Sequence, residues 1–176
     1  LIERTKSLKV LNGTNLAAEM GPIVTPAAHA RITGYIEQGV KEGAQLLVDG
    51  RTFTGAGAGE GCEQGFWMGG TLFDNVTPEM RIYKEEIFGP VLTVQSFRTE
   101  DEVIEKANNT PFGLSAGVWT DKGSKIFNMT TKLKAGVVWA NTYNKFDPTS
   151  PFGGYKESGY GREGGLHGLA AYINLV

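Results

Sequence analysis

The stretch YKEEIFGPVL, residues 83–92, sets two adjacent carboxylates, Glu85 and Glu86, ahead of an aromatic and a Gly-Pro pair. A carboxylate accepts hydrogen bonds from two neighbouring hydroxyls, and an aromatic face packs a planar ring. Glycine lets a ligand or another backbone come close, while proline stiffens the turn. Glu86 with Phe88 could thus hold a nucleoside. In extended backbone, side chains alternate faces, which places Glu86 and Phe88 on one side and Glu85 on the other. The plainer reading is that both acids solvate a loop, since charged residues are seldom fully buried.

The remaining reactive side chains make poorer cases. Cys62, the single thiol, stands in GEGCEQG between Glu60 and Glu63, whereas a nucleophilic cysteine needs an electropositive or base-assisted setting. Ser158 and His167 could be imagined in a hydrolase, but no nucleophile elbow surrounds the serine. GYGREG has the glycine spacing of a dinucleotide fingerprint at Gly159, Gly161 and Gly164. That motif works when a buried strand delivers the turn to a helix start, and PFGGYKES is no such strand. A glycine-rich wrap over a sheet is the better reading. The two histidines, His29 and His167, are scattered and give no metal-ligand spacing. No catalytic residue and no metal ligand is assigned.

These residues need elements to carry them. Thr25-Pro26 is a helix start, and Ile32, Tyr35, Ile36 and Val40 recur at helical spacing up to Gly43, so residues 27–42 are expected to be helical. AQLLVDG reads as a strand, the glycine-rich run after Arg51 as a mobile connection, and FWMGGTLFDNV as a second strand. From Val91 the order is VLTVQSF, TEDEVIEKANN, LSAGVWT, DKGSKIFNMTTKLKAG and VVWAN, a β-α-β-α-β pattern. Thr99 and Glu102 make a capping box, and Gly136 is expected to end the second helix. Strands joined through helices are normally parallel, with ligands beyond their carboxyl ends. Asn141, the first polar residue after VVWA, therefore points at a site or simply closes the strand as a turn-former.

The 176 residues, 40% hydrophobic and 20% charged, suit one globular unit. A net charge of −2 gives no footprint for nucleic acid, and no apolar run is long enough for a membrane span. One cysteine allows no internal disulfide, which fits a reducing cytoplasm. Four Asn-x-Thr triplets, at Asn12, Asn75, Asn108 and Asn128, follow no signal peptide and read as chance. The first residues resemble the last turns of a helix, and the chain finishes on apolar AYINLV, as a piece of a longer polypeptide would.

Taken together, KEEIFGPVL, ANNTPFGLSAGVWT, AGVVWAN and SPFGGYKESGYGREGG stand in the order and approximate spacing of the carboxyl-terminal third of the aldehyde dehydrogenase superfamily. The whole chain resembles that third closely. GPIVTPAAHARITGYIEQGVKEGAQLLVDG matches the helix and strand that follow the family's catalytic cysteine region. The resemblance implies an α/β fold with a mostly parallel sheet, residues 1–169 forming part of a catalytic domain and residues 170–176 starting an oligomerisation strand. It implies that Glu86 holds the ribose hydroxyls of the nicotinamide half of NAD or NADP and that Phe88 lies near the nicotinamide, leaving Glu85 as a structural partner. Phe152 matches an aromatic of the substrate tunnel, Phe146 is a second candidate in the loop before it, and Asn141 supports the site from the strand end.

The family reaction is attack of a cysteine thiolate on an aldehyde, hydride transfer to NAD(P)+, and release of the acyl group to water or coenzyme A, in a homo-oligomer. By that resemblance the family's nucleophile, general base, oxyanion donor and adenine-binding half all precede Leu1, so this chain alone is expected to be inactive. Gly70 stands where relatives carry proline, which implies a looser start to its strand. The connection after Arg51 is similar to the methylmalonate-semialdehyde branch, while PFGGYKESGYGREGG looks like branches that release a free acid, so the aldehyde stays open. The rival reading is a non-catalytic binding or assembly module that keeps the fold.

Overall fold

The computed structural model describes residues 1–60 and 62–174. The chain divides into two compact units, Leu1–Ser96 and Phe97–Val176, where length and composition suggested one. Length sets only a default for domain number; here each unit closes its own hydrogen-bonded ladders.

The first unit contains α1 (Ile2–Lys6), α2 (Pro26–Lys41), β1 (Gln45–Val48), a 3₁₀ turn (Gly50–Thr52), β2 (Thr71–Asp74), α3 (Arg81–Lys84) and β3 (Val91–Thr93). Helix α2 begins as its sequence dictates. The Thr25 hydroxyl accepts from the Ala28 N–H at 3.1 Å, Pro26 takes the first helical position, and Gly43 follows the end at φ 97°. Its apolar stripe, Ile32, Tyr35, Ile36 and Gly39, is buried in a core with Met68, Phe73, Ile82 and Ile87. Ile32, Ile36, Met68 and Phe73 are fully buried, each worth roughly 1.5–3 kcal/mol of transfer free energy. The sheet runs β1-β2-β3, antiparallel then parallel. Gly70 is buried, and a Cβ there would come within 2.8 Å of Thr5 and 3.1 Å of Leu8. The start of β2 is therefore packed against α1 and the residues just after it, and the looser start expected from a missing proline is not what the structure has.

The second unit contains α4 (Glu100–Asn108), β4 (Phe112–Gly113), β5 (Ser115–Val118), α5 (Gly123–Lys132), β6 (Val137–Ala140), β7 (Tyr155–Lys156) and α6 (Gly165–Ala170). Thr99 caps α4 through the Glu102 N–H at 3.2 Å. The reciprocal arm of the box lands one residue early, with Glu102 accepting from the Arg98 N–H at 2.8 Å. Strands β5 and β6 are parallel and joined by α5, and β4 pairs antiparallel with β7. The expected β-α-β-α-β series thus yields one crossover closed within this unit, because β3 ladders with β2 instead.

Two further expectations are corrected. Helix α5 ends at Lys132, before Gly136, whose role is close approach: a Cβ there would sit 1.7 Å from the Gly153 carbonyl oxygen. The strand expected from Ala170 is not formed by residues 170–174, where Ala170 closes α6 and a turn follows. An extended segment needs ladder partners for its backbone groups, and a helix satisfies them locally. The last two residues of that expected strand lie outside the described residues. Among the described residues no helix is long and apolar enough to cross a membrane.

The glycines give opposed expectations for stability. Gly34 is exposed within α2 and has open space at its Cβ position, so Gly34→Ala should raise stability by about 0.5–1 kcal/mol. Gly136→Ala should lower it by roughly 1–3 kcal/mol or more, since the obstacle is backbone. Urea denaturation of the two variants checks both signs.

Candidate functional site

The loop after α3 carries Glu85, Glu86, Ile87 and Phe88, and it is held on α2 at several points. Ile87 is buried in the core of the first unit, and the Arg31 guanidinium donates to its carbonyl. Gly89 lies so close to Ile32 that a Cβ would come within 2.6 Å of that side chain. The loop closes with the Val91 N–H donating to the Gly89 carbonyl at 2.7 Å across Pro90, whose own carbonyl accepts from Thr71 at 2.8 Å.

The two acids have different fates. Both Glu85 oxygens are engaged: Oε2 accepts from the Tyr35 hydroxyl at 2.6 Å and Oε1 from Arg81 Nε at 2.8 Å. The Arg81 guanidinium also lies 4.7 Å over the Tyr35 ring. The Arg81 bond, then the Tyr35 bond, holds the Glu85 carboxyl below the usual carboxylate range, and the same contact pushes the Tyr35 phenol up. Glu86 is exposed, and among the described residues its carboxylate has no hydrogen-bond or ion-pair partner.

Phe88 is 77% exposed at φ 53°, the left-handed region that a non-glycine residue enters only where its surroundings hold it. Glu85, Glu86, Phe88, Gly89 and Thr93 line one open cleft of about 410 Å³. Glu85 and Ile87 turn toward α2 while Glu86 and Phe88 are exposed, in keeping with the alternation of faces expected for an extended segment. Glu85 borders the cleft as well, although its carboxylate is held by Tyr35 and Arg81. A free carboxylate and a bare aromatic ring on a fixed loop can take a pair of hydroxyls and a planar group.

In the second unit Asn141 follows β6 at φ 54°. Its N–H donates to the Val118 carbonyl at 2.8 Å, its Oδ1 accepts from the Thr120 N–H at 2.9 Å, and its Nδ2 donates to the Thr120 carbonyl at 3.0 Å. The side-chain amide thus imitates one more peptide and adds a rung beyond the carboxyl ends of β5 and β6. Beyond it stands an aromatic series. Trp139 meets Tyr143 with centroids 5.1 Å apart and Phe146 at 5.7 Å, and Phe146 meets Phe152 at 4.9 Å, all edge to face. Trp139 Nε1 donates to the Lys145 carbonyl at 2.9 Å, tying the loop back to the strand. Glu86 and Phe88 thus border one cleft in the first unit, and Phe146 packs on Phe152 in the second, where Asn141 is bonded to Thr120 and Val118 instead.

The weaker candidates have structural partners. The Cys62 thiol faces the Asn12 amide at 3.3 Å and the Glu60 carbonyl at 3.8 Å, and neither is a base. Ser158 Oγ accepts from the Gly113 N–H at 3.1 Å. In GYGREG the Arg162 guanidinium donates to the carbonyls of Gly154, Tyr160 and Gly161, and Phe152 bridges Glu163 antiparallel. That is a wrap and not a phosphate loop. Among the described residues there is no cluster of metal-ligating side chains.

Sequence reasoning missed Tyr35 and Arg81 as parts of this site, and Trp139 and Tyr143 as supports of the loop after β6. Tyr35 was legible only as a core position of a helix. The signal available was a polar-tipped aromatic on a buried stripe, whose hydroxyl must find a partner.

The chain was compared with known proteins. The family model described as "Aldehyde dehydrogenase family" matches residues 1–176. A betaine aldehyde dehydrogenase of Mesorhizobium japonicum is 43% identical over 175 residues, covering 99% of this chain and 35% of that protein. "Aldehyde dehydrogenase, cytosolic 1" of Mus musculus is 44% identical over 174 residues, covering 99% of this chain and 33% of that protein. Among solved structures, an NAD+ complex of an aldehyde dehydrogenase from Bacillus cereus superposes with a TM-score of 0.86 at 43% identity, over 98% of this chain and 33% of that one. An NAD+ complex of the Mycobacterium tuberculosis enzyme gives 0.86 at 38% identity, over 97% and 34%. The chain spans about a third of the length of the relatives it matches.

The Tyr35–Glu85 bond should be pH-limited at both ends. Folded Glu85 holds its proton less tightly than in the unfolded chain, so its contribution is complete above the unfolded carboxylate range, about 4.3, and fades as pH falls through the lower folded value. Folded Tyr35 holds its proton more tightly, so its contribution is complete below about 10 and fades as pH rises through the higher folded value. The stability difference between wild type and Tyr35→Phe, from urea denaturation, should be widest between those limits. A difference that stays flat down to about pH 2 would show that ionised Glu85 does not carry it.

Proposed function

The chain belongs to the aldehyde dehydrogenase family, and on that premise we propose that it is the carboxyl-terminal portion of an NAD- or NADP-dependent enzyme oxidising an aldehyde to an acid or acyl-CoA. In this reading Glu86 accepts the hydroxyls of the nicotinamide ribose and Phe88 packs beside the ring. Phe152 and Phe146 wall the aldehyde tunnel, and Asn141 fixes the strand end from which that wall departs. The observation that carries the reading is the division of labour at residues 85 and 86. One carboxylate is saturated by Tyr35 and Arg81, and the other is exposed, without a partner among the described residues, on the same clamped loop. Several similar structures are NAD+ complexes, which supports the cofactor class.

When bound, the dinucleotide supplies the hydride acceptor. The residues of this chain bind and orient: the Glu86 carboxylate takes two donors at once, which fixes rotation as well as position, and the stiff loop leaves it little freedom to lose on binding. The aromatic side chains of the second unit exclude water from whatever lies against them. The thiol and the general base of the reaction belong to the part of the relatives that this chain does not span. We also propose a cytoplasmic homo-oligomer, on the strength of Leu166, Leu169, Tyr172 and Ile173, apolar residues left exposed near the end of the second unit.

Three outcomes are expected. The isolated chain with a panel of aldehydes and NAD(P)+ should reduce no cofactor above background; turnover lost in Cys62→Ser would refute this. In the complete enzyme, Glu86→Gln should cut hydride transfer on the order of 100-fold at unchanged stability, with Glu85→Gln costing much less. Equal effects of the two would remove the ribose contact from Glu86. Light scattering over a concentration series should find association that deletion of residues 170–176 weakens, and a monomer throughout would contradict the oligomer.

A further inference from the structure

We propose that Tyr35 is a positioning residue for the reaction, acting through Glu85 to set where Glu86 and Phe88 stand. The proposal rests on the reading of Glu86 as the ribose contact. The Tyr35 ring is buried on α2 among Ile32, Ile36 and Ile82, so the core fixes where its hydroxyl points. That hydroxyl holds Glu85 Oε2 at 2.6 Å, while Arg81, lying over the same ring, holds Oε1 at 2.8 Å. Residue 85 is thereby fixed in both position and rotation.

Two residues on, Ile87 is fixed again by the same helix, through its buried side chain and the bond from Arg31 to its carbonyl. Glu86 is suspended between these two anchors, and its exposed carboxylate needs no contact of its own. Phe88 follows at φ 53°, a conformation that relaxes unless both sides are held. Glu86 would have to place two oxygens on a diol, and an error near 1 Å costs on the order of 100-fold in rate. The helix supplies the rigidity that the free acid lacks.

Tyr35→Phe removes the hydroxyl and keeps the buried ring, which separates positioning from core packing. The test uses the complete polypeptide that carries this chain, with Tyr35→Phe, Glu85→Gln, their double variant and Glu86→Gln. Amide hydrogen exchange of residues 84–91 is read beside kcat and the KM for the aldehyde. Loss of a charge-assisted hydrogen bond corresponds to roughly a tenfold shift in a local opening equilibrium. Tyr35→Phe should therefore speed exchange at the Glu85 and Val91 amides, which are hydrogen-bonded at the two ends of the loop, about tenfold, leave α2 protected, and lower kcat by up to about tenfold at constant aldehyde KM.

If Tyr35 acts through Glu85, the double variant should be no worse than the poorer single variant, within about twofold. Uniform acceleration across residues 1–96 would make Tyr35 an ordinary core residue and overturn the proposal. So would unchanged exchange in the loop, or additive losses in the double variant. Glu86→Gln at the wild-type rate, with the loop loosened by Tyr35→Phe, would sink the ribose assignment alone, because the exchange readout judges the clamp independently.

Discussion

The backbone at Gly89 lies against Ile32, and the arrangement of the first unit around its exposed acid depends on that contact. A side chain at 89 would collide with a β-branched residue that is stiff about χ1 and fully buried, so neither partner could move aside cheaply. With glycine there, helix and loop approach closely enough for the polar contacts to reach. Arg31, Ile32 and Tyr35 are one and three residues apart on α2, so helical geometry places them on adjoining positions of one face, within about 6 Å along the axis. They meet Ile87, Gly89 and Glu85 in turn. A helical period is thus transcribed onto an irregular loop, which has no ladder of its own to hold it.

The second unit reaches a comparable result by other means. Its parallel pair is only four residues deep on each strand, and the ladder would end in unpaired peptide groups at Thr120. Asn141 supplies the missing partner from its side chain, at a φ that asparagine tolerates better than most residues. The aromatic series then carries order outward from Trp139 through Phe146 to Phe152, by edge-to-face contacts that fix direction as well as distance. Hydrogen bonding stops at the strand end and packing takes over.

Much of this was legible in the sequence because it follows from local rules. Thr25-Pro26 and Gly43 bound α2 within a residue, Thr99 caps α4, and the alternation from Leu114 to Ala140 gives the crossover. The illegible parts depend on contacts between residues far apart in the chain. Gly136 looks like a helix stop because glycine often is one, yet its reason is the carbonyl of Gly153. Glu85 and Glu86 are chemically identical neighbours, told apart by Arg81 four residues before and by Tyr35, fifty residues away. The short helix α3 was missed for the same reason: the N–H of Arg81 is capped by Glu42 at the far end of another helix.

The rung made by Asn141 has an evolutionary corollary. Because the sheet is completed by a side chain, the backbone leaving it at residue 142 owes nothing to strand register; it is held instead at Lys145, Pro148 and Phe152, by Trp139, Gly165 and Glu163. The loop between is thus fastened to β6 at a few points, Tyr143, Lys145 and Phe146 on Trp139, and not along its length. Side chains away from those points can drift without shifting β5 or β6, so mutational exploration there is decoupled from the cost of misfolding. A fold with such a firebreak can change what it accepts while keeping how it stands.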